Sequence, residues 1–150
     1  NMTEIPFFIE DPEILKNGLK SFNTFLRFIG FKLKFGSDDL KDELLEDINQ
    51  ETIGIVRLED SLDELTDLEK ERMQNLNEET HNYLRINRIL SYLGILQLEN
   101  LKYKWMVTLI EEVKTNKILI NPQIKESMIK YWFKQFTSEK GIKLKGLLES

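Results

Sequence analysis

HNYLRINRILSYLGIL, at residues 81–96, is the most informative segment of the chain. Its apolar residues recur at intervals of three and four, which places their side chains on one face of an α-helix. We therefore predict a helix over about residues 78–96 that buries this face in the core. The buried face consists of Tyr83, Ile86, Ile89, Leu90 and Leu93.

The polar residues of this helix fall into two sets. Asn82 lies on the apolar side, so we predict that it is buried and hydrogen-bonded to the backbone of a neighbouring helix end or loop. Four other side chains lie within about 60° of one another on the opposite side. They are His81, Arg85, Arg88 and Tyr92. This polar face either forms ion pairs with an acidic segment or recognises a carboxylate or phosphate, because two arginines one turn apart can both bind one anion.

The segment that follows Asp11 and Pro12 is predicted to form a helix central to the core. Aspartate followed by proline is typical of a helix N-terminus, because aspartate caps the first amides and proline is tolerated at the first helical position. Apolar residues then recur at helical spacing as far as Gly30. They are Leu15, Leu19, Phe22, Leu26 and Ile29, with Phe25 and Phe28 widening the stripe.

Four further helices are predicted from capping residues and apolar spacing. An acidic helix should begin at Ser37, and another should begin after the capping residue Thr66. Trp105 marks a third, and the pair Asn121 and Pro122 repeats the start signal of the first helix. The acidic helix would carry Leu40, Leu44, Leu45 and Ile48.

The remaining segments complete the prediction of the fold class. Residues 51–60 are compatible with a brief extended strand as well as with a helix. The lysine-rich end at residues 141–150 is expected to be frayed. Only seven glycines and three prolines interrupt the 150 residues, too few for an all-β protein with many turns. We predict one all-α domain over residues 1–150, with about five to seven helices.

The composition excludes several classes of active site. The chain has no cysteine and only one histidine, His81, which excludes disulfides, cysteine nucleophiles and sites with two imidazole ligands. It also has no glycine-rich phosphate loop and no GxSxG motif. We therefore expect no cofactor and no metal ion.

The sequence shows no sign of membrane insertion or of secretion by a signal peptide. No apolar run is long enough to span a bilayer, so we expect no transmembrane segment. Residues 2–6 lack the basic and apolar parts of a signal peptide. The cytoplasm is therefore the expected location, and export by a signal-independent route is the alternative.

Charge is distributed unevenly, although the net charge is only −5. Residues 37–72 contain fourteen acidic and four basic residues, a net charge of −10. Residues 102–145 contain ten lysines and four glutamates, a net charge of +6. These are either solvated faces of opposite sign, or the C-terminal half is a basic surface for phosphates or an acidic partner.

HNYLRINRIL, at residues 81–90, resembles the HNYLRITRIL signature of the opioid growth factor receptor conserved region. Asn87 differs, standing where the family has threonine, and the family's upstream IQWLFP element has no counterpart. Four further segments resemble family elements, so the resemblance covers about residues 15–133. They are FIGFKL at 28–33 (family FYGIRL), IGIVR at 53–57 (TGxVxR), RMQNLN at 72–77 (RFxNLN) and SMIKYW at 127–132 (SxxxYW).

The resemblance implies a non-enzymatic domain that binds a protein or a peptide. The animal member of the family is described as a receptor for an enkephalin peptide, so receptor-like activity is implied by the family alone. The candidate binding residues are His81, Arg85, Arg88, Tyr92 and Arg57.

Two alternatives from other classes stay open. A small enzyme would build its site around His81, Arg85, Arg88 and Arg57. A nucleic-acid-binding module would use the C-terminal lysines, but the isoelectric point near 5.1 argues against it, and we expect no nucleic-acid partner. A pocket that reaches His81 with converging carboxylates would favour the enzyme, whereas a shallow apolar groove rimmed by arginines would favour binding.

Overall fold

Helix α1 spans Pro12–Phe28 and begins where the sequence predicts it. The computed structural model describes residues 11–46 and 48–150, so the expectation for residues 2–6 lies outside the described part of the chain. The Asp11 side chain caps the helix by accepting hydrogen bonds from two amides, and Gly30 follows the helix with a positive φ of 100°. The buried residues of the stripe are Leu19, Phe22, Phe25, Leu26 and Ile29, and Leu15 is half-buried.

A small antiparallel sheet follows α1, and the segment compatible with a strand is part of it. The strands are β1 (Phe31–Phe35), β2 (Asp38–Asp39) and β3 (Ile53–Arg57), in the order β2-β1-β3. Gly36 occupies the tight turn between β1 and β2 with a positive φ of 66°. Strand β1 pairs with β3 from Phe31 opposite Arg57 to Phe35 opposite Ile53.

The acidic helix predicted from Ser37 is wrong. This segment forms β2 and then a short 3-10 helix, Asp42–Leu45. The Asp39 carboxylate lies 2.9 Å from Nζ of Lys32 and 3.3 Å from Nζ of Lys34, both on β1. These tertiary contacts, together with the pairing of β2 on β1, override the helical spacing of the leucines.

Three helices form the middle of the chain: α2 (Asp67–Glu78), α3 (His81–Ile95) and α4 (Glu99–Thr115). The predicted capping role of Thr66 is confirmed, since its side chain and that of Glu69 form a reciprocal capping box. Helix α3 begins three residues later than predicted, because α2 continues as far as Glu78. The buried apolar face of α3 is confirmed, with Ile89 half-buried and the other four residues buried.

The C-terminal part of the chain is more ordered than predicted. Helix α5 (Pro122–Ser127) begins at the predicted cap Asn121 and continues through a π-helical turn, Met128–Trp132, and a 3-10 turn, Phe133–Gln135. Helix α6 spans Ser138–Glu149, so the predicted fraying of residues 141–150 is wrong. Leu144 and Leu148 of α6 are buried in the core, which accounts for the order of this segment.

The described residues thus form a predominantly helical domain with six α-helices, which confirms the predicted class and helix number. The apolar side chains of β1 join those of α1 in one buried core. Among the described residues, no helix is both long and apolar enough to cross a bilayer.

Candidate functional site

Arg85 of α3 lies across the C-terminal end of α1. Its guanidinium carbon is 4.9 Å from the ring centroid of Phe25 and 5.6 Å from that of Phe28, which are cation–π distances. One Nη1–H donates a hydrogen bond of 3.0 Å to Oδ1 of Asn82. A guanidinium carries five N–H donors, and no other hydrogen bond joins this one to a described residue. The guanidinium of this exposed side chain therefore packs against two rings and Asn82, and most of its donors have no partner among the described residues.

A groove of about 340 Å³ lies between α1 and α3 beside this arginine, and we call it the α1–α3 groove. Gly18 lets α1 pack closely against the C-terminal end of α3 beside the groove, because a Cβ at this position would lie 2.6 Å from Cδ1 of Leu96 and 3.3 Å from Cε2 of Tyr92. The groove has an aromatic and aliphatic floor with arginines along one side. Its lining residues are Gly18, Ser21, Phe22, Phe25, Arg85, Arg88, Ile89 and Tyr92.

The polar face of α3 does not pair with the acidic segment in the described part of the chain. None of the ion pairs among residues 11–46 and 48–150 includes Arg85 or Arg88. Ion pairing between this face and the acidic segment is therefore wrong for the described residues. The acidic segment pairs instead with Lys16, Lys20, Lys32 and Lys34.

Three of the five candidate residues come together, and two do not. Arg85, Arg88 and Tyr92 line the α1–α3 groove. His81 lies outside its lining, with a side chain that is 66% exposed and an Nδ1 atom 3.6 Å from the Glu79 carboxylate. Arg57 lies on β3 and forms a bidentate pair with Glu112 of α4, at 2.7 Å from Nε and 2.8 Å from Nη2. The groove, rather than a pocket around His81, is the candidate site.

Asn82 is buried and bonded to a neighbouring helix, as predicted. Its side chain is fully buried, and Nδ2 donates a hydrogen bond of 2.9 Å to the carbonyl of Asn75 in α2. Asn75 in turn donates from Nδ2 to the carbonyl of Phe28 at the end of α1, at 2.8 Å. Asn82 therefore links α3 to α2 and also holds Arg85, so it positions the groove's central charge.

Asn75, Phe25 and Phe28 contact Asn82 or Arg85, but the sequence alone did not assign them to the candidate site. Phe25 and Phe28 were predicted only as part of the α1 core stripe, yet their rings also support Arg85. Their spacing of three residues on one face of α1 was the available signal. Asn75 lies in the segment that resembles the family element RFxNLN, which could have marked it.

We expect Asn82→Leu to lower the free energy of unfolding by roughly 1–3 kcal/mol, because it leaves the Asn75 carbonyl and an Arg85 donor without their partner. Urea unfolding measures the loss. Asn17→Leu is the matched control, since Asn17 is exposed on α1 and its loss should be close to zero. A loss for Asn82→Leu no greater than that of the control would contradict the observed pairing.

The fold and the site define a small helical domain with an arginine-lined groove between two of its helices. The family model for the opioid growth factor receptor (OGFr) conserved region matches residues 51–147 of the chain. Because this match covers more than half of the chain, the chain belongs to that family. Comparison with curated proteins and with solved structures gives no significant match.

The family match confirms the resemblance seen in the sequence and shifts its boundaries. Four of the five family-like segments lie within residues 51–147, while FIGFKL at 28–33 precedes the match. The match also extends to residue 147 and so includes most of α6. All of α3, which supplies the arginines of the groove, lies within it.

Proposed function

We propose that the α1–α3 groove binds a protein or peptide segment that carries an anionic group, and that Arg85 and Arg88 hold this group. The observation that carries the proposal is the set of contacts around the Arg85 guanidinium. Its position is fixed by two aromatic rings and Asn82, while its remaining donors have no carboxylate partner among the described residues. Bidentate hydrogen bonds to a carboxylate are the contacts that such a guanidinium makes best.

The floor of the groove adds a requirement for an apolar side chain on the ligand. Phe22, Ile89 and Tyr92 line the same cavity of about 340 Å³, which is large enough for one or two side chains rather than for a whole domain. An apolar anchor beside a carboxylate is therefore the proposed ligand pattern. A peptide with a free C-terminal carboxylate and an apolar last residue fits this pattern, and an enkephalin peptide, implied by the family resemblance, is one candidate.

We expect Arg85→Ala combined with Arg88→Ala to weaken peptide binding by about tenfold or more, because each charge-assisted contact contributes about 1.5–3 kcal/mol. The probe is a pool of random pentapeptides with free carboxylates, compared with the same pool amidated, and binding is followed by fluorescence polarisation. The parent protein should prefer the free-carboxylate pool. The double variant should lose that preference while retaining its helical circular dichroism.

Two controls separate recognition from charge and from folding. Lys130→Ala combined with Lys143→Ala removes two positive charges from exposed ion pairs elsewhere, and binding should stay unchanged. Arg85→Lys keeps the charge but loses the planar fork, so binding should weaken while the fold persists. Equal binding of free and amidated peptides by the parent protein would defeat the proposal.

The enzyme and nucleic-acid alternatives receive no comparable support. The enzyme needs His81 and Arg57 beside the groove arginines, and the structure places both outside the groove lining. For the nucleic-acid module, two of the C-terminal lysines are engaged internally. Burial lowers the pKa of Lys102, which donates to the carbonyl of Gln135, and Lys104 donates to three backbone carbonyls between residues 50 and 53.

A further inference from the structure

The loop at residues 59–65, which we call the acidic loop, presents an isolated leucine to solvent. Leu62 is 90% exposed and is followed by the exposed residues Asp63 and Glu64. Single exposed apolar residues are common on protein surfaces and by themselves indicate nothing. This leucine differs because the backbone that carries it is held rigidly from inside the protein.

Glu69 of α2 fixes the beginning and the end of the acidic loop. Its fully buried carboxylate accepts hydrogen bonds from the amide of Glu59 at 2.8 Å, from the amide of Thr66 at 2.9 Å, and from the Ser61 hydroxyl. Burial alone would raise the pKa of the Glu69 carboxyl, but these hydrogen bonds lower it below its ordinary value. The carboxylate thus stabilises the loop at neutral pH, and this stabilisation is lost as the pH falls through the lowered pKa.

Two more interactions fix the middle of the acidic loop. Nη1 of Arg57 donates to the carbonyls of Leu62 at 3.4 Å and Asp63 at 3.3 Å. Asp60 adopts a positive φ of 57° and accepts from the two lysines of β1. Buried and strained groups are costly and persist where the surrounding structure holds them. Here they hold in place a loop whose Leu62 side chain is 90% exposed, and a preorganised tip binds at a lower entropic cost.

A groove with apolar and basic lining residues lies in the positively charged C-terminal part of the chain. It runs between the π-helical turn after α5 and helix α6, has a volume of about 500 Å³, and is called here the α5–α6 groove. Ile142 and Ile129 are 73% and 37% exposed on its walls, and Phe133 forms part of its floor. Lys134 and Lys145 line the same groove.

We propose that the acidic loop of one copy of this protein docks into the α5–α6 groove of a second copy. Leu62 fills the apolar floor between Ile129 and Ile142, and the carboxylates of the loop lie beside the groove's lysines. The net charges of −10 over residues 37–72 and +6 over residues 102–145 favour this encounter. No residue of the acidic loop lines the groove within one copy, so the contact joins two different surfaces of two molecules.

A single contact of this kind is head-to-tail, because the loop and the groove are different surfaces. A head-to-tail pair keeps one free loop and one free groove, so association continues with concentration unless two copies exchange loops reciprocally in a closed dimer. The contact area of one loop is small, which is typical of weak and transient association. Salt should weaken it, since the carboxylates and lysines are exposed.

Sedimentation velocity of the full chain over a range of concentrations tests the proposal. The parent protein should self-associate, and Leu62→Asp and Ile142→Glu should each weaken self-association by about tenfold or more, because each removes an aliphatic side chain from the contact. Ile142→Glu also repels the carboxylates of the loop. Both residues are exposed, so the fold should persist, which circular dichroism checks. Ile120→Glu is the matched control, because Ile120 is 69% exposed outside the groove, and this variant should associate like the parent.

Mixing the two deficient variants gives the decisive result. Leu62→Asp retains an intact groove and Ile142→Glu retains an intact loop, so the mixture should form a one-to-one dimer that neither variant forms alone. A parent protein that stays monomeric up to its solubility limit overturns the proposal. So does a mixture that stays monomeric, and so does self-association that survives Ile142→Glu, because the loop would then meet a different surface or a different protein.

Discussion

Phe22→Ala is expected to lower the free energy of unfolding by about 3–5 kcal/mol, because it removes a large buried side chain from the core. Phe22 is only 2% exposed, and its ring meets that of Trp105 edge-on with centroids 4.9 Å apart. The substitution removes this aromatic contact and leaves a cavity that the surrounding helices cannot fill by moving, because both rings lie between α1 and α4. Urea unfolding followed by circular dichroism measures the loss.

Phe28→Ala is the matched control for this prediction. Phe28 lies on the same helix but is 36% exposed, so its removal takes less apolar surface out of the core and should cost clearly less. A loss below about 1 kcal/mol for Phe22→Ala would contradict the packing described here. Equal losses for the two variants would also contradict it, because they would mean that the two rings are equally buried.

The helices that the sequence predicts correctly are those whose determinants are local. Asp11 with Pro12, Thr66 with Glu69, and Asn121 with Pro122 all begin helices in the structure, because capping needs only neighbouring residues. The burial of Asn82 was also predictable, since its position on the helix follows from periodicity alone. Its partner Asn75 was not, because that contact depends on how α3 crosses α2.

Strand β1 is predictable from its own sequence, although the predicted elements leave residues 31–35 unassigned. The sequence FKLKF at residues 31–35 alternates strictly between apolar and charged residues, which is the pattern of a half-buried strand. Phe31, Leu33 and Phe35 face the core, while Lys32 and Lys34 bind Asp60 on the other side of the sheet. This alternation predicts a strand at residues 31–35, and that strand is the antiparallel pairing partner of the strand at residues 53–57.

The errors at residues 37–46 and 141–150 have a different origin. Leucine spacing favoured a helix in the first segment, but pairing of β2 with β1 decides the backbone there. In the second segment, the lysine-rich end of the chain predicts fraying, but Gly141 permits close packing instead. A Cβ at residue 141 would lie 3.0 Å from the carbonyl oxygen of Phe133, so the absence of a side chain lets α6 approach the preceding turn. The first contact closes a tight hairpin and the second joins a helix to the turn before it, so neither follows from the helical spacing of apolar residues.

The candidate site was predictable only in part, because some of its contacts depend on how two helices cross. Helical periodicity places Arg85, Arg88 and Tyr92 on one side of α3, and these three do line the α1–α3 groove. The stacking of Arg85 on Phe25 and Phe28 depends on the crossing of α1 and α3, about sixty residues apart in the chain. Arg57 belongs to the family-like segment at residues 53–57, which contributes no residue to the lining of the α1–α3 groove. The strand that carries Arg57 directs its side chain to Glu112 instead.

Arg57→Leu is the second substitution with a large expected effect, a loss of about 3–5 kcal/mol in the free energy of unfolding. Glu112 is only 5% exposed, and both of its carboxylate oxygens accept hydrogen bonds from Arg57. Removing the guanidinium leaves this buried carboxylate with the Asn116 amide, at 3.4 Å, as its remaining side-chain partner among the described residues. An unpaired buried charge costs far more than the ion pair itself contributes. Urea unfolding at neutral pH measures the difference.

Arg57→Leu combined with Glu112→Leu separates the two roles of Arg57. The double variant carries no unpaired buried charge, so we expect it to regain most of the lost stability, as buried ion pairs replaced by apolar residues of similar size often do. Its acidic loop still lacks the donor to the Leu62 and Asp63 carbonyls, so amide hydrogen exchange at residues 61–64 should stay faster than in the parent. A stable double variant with a loosened loop would mean that the pair is kept to hold the loop in place rather than for overall stability. A double variant as unstable as Arg57→Leu would contradict this account, because the cost would then come from the loop and not from the buried carboxylate.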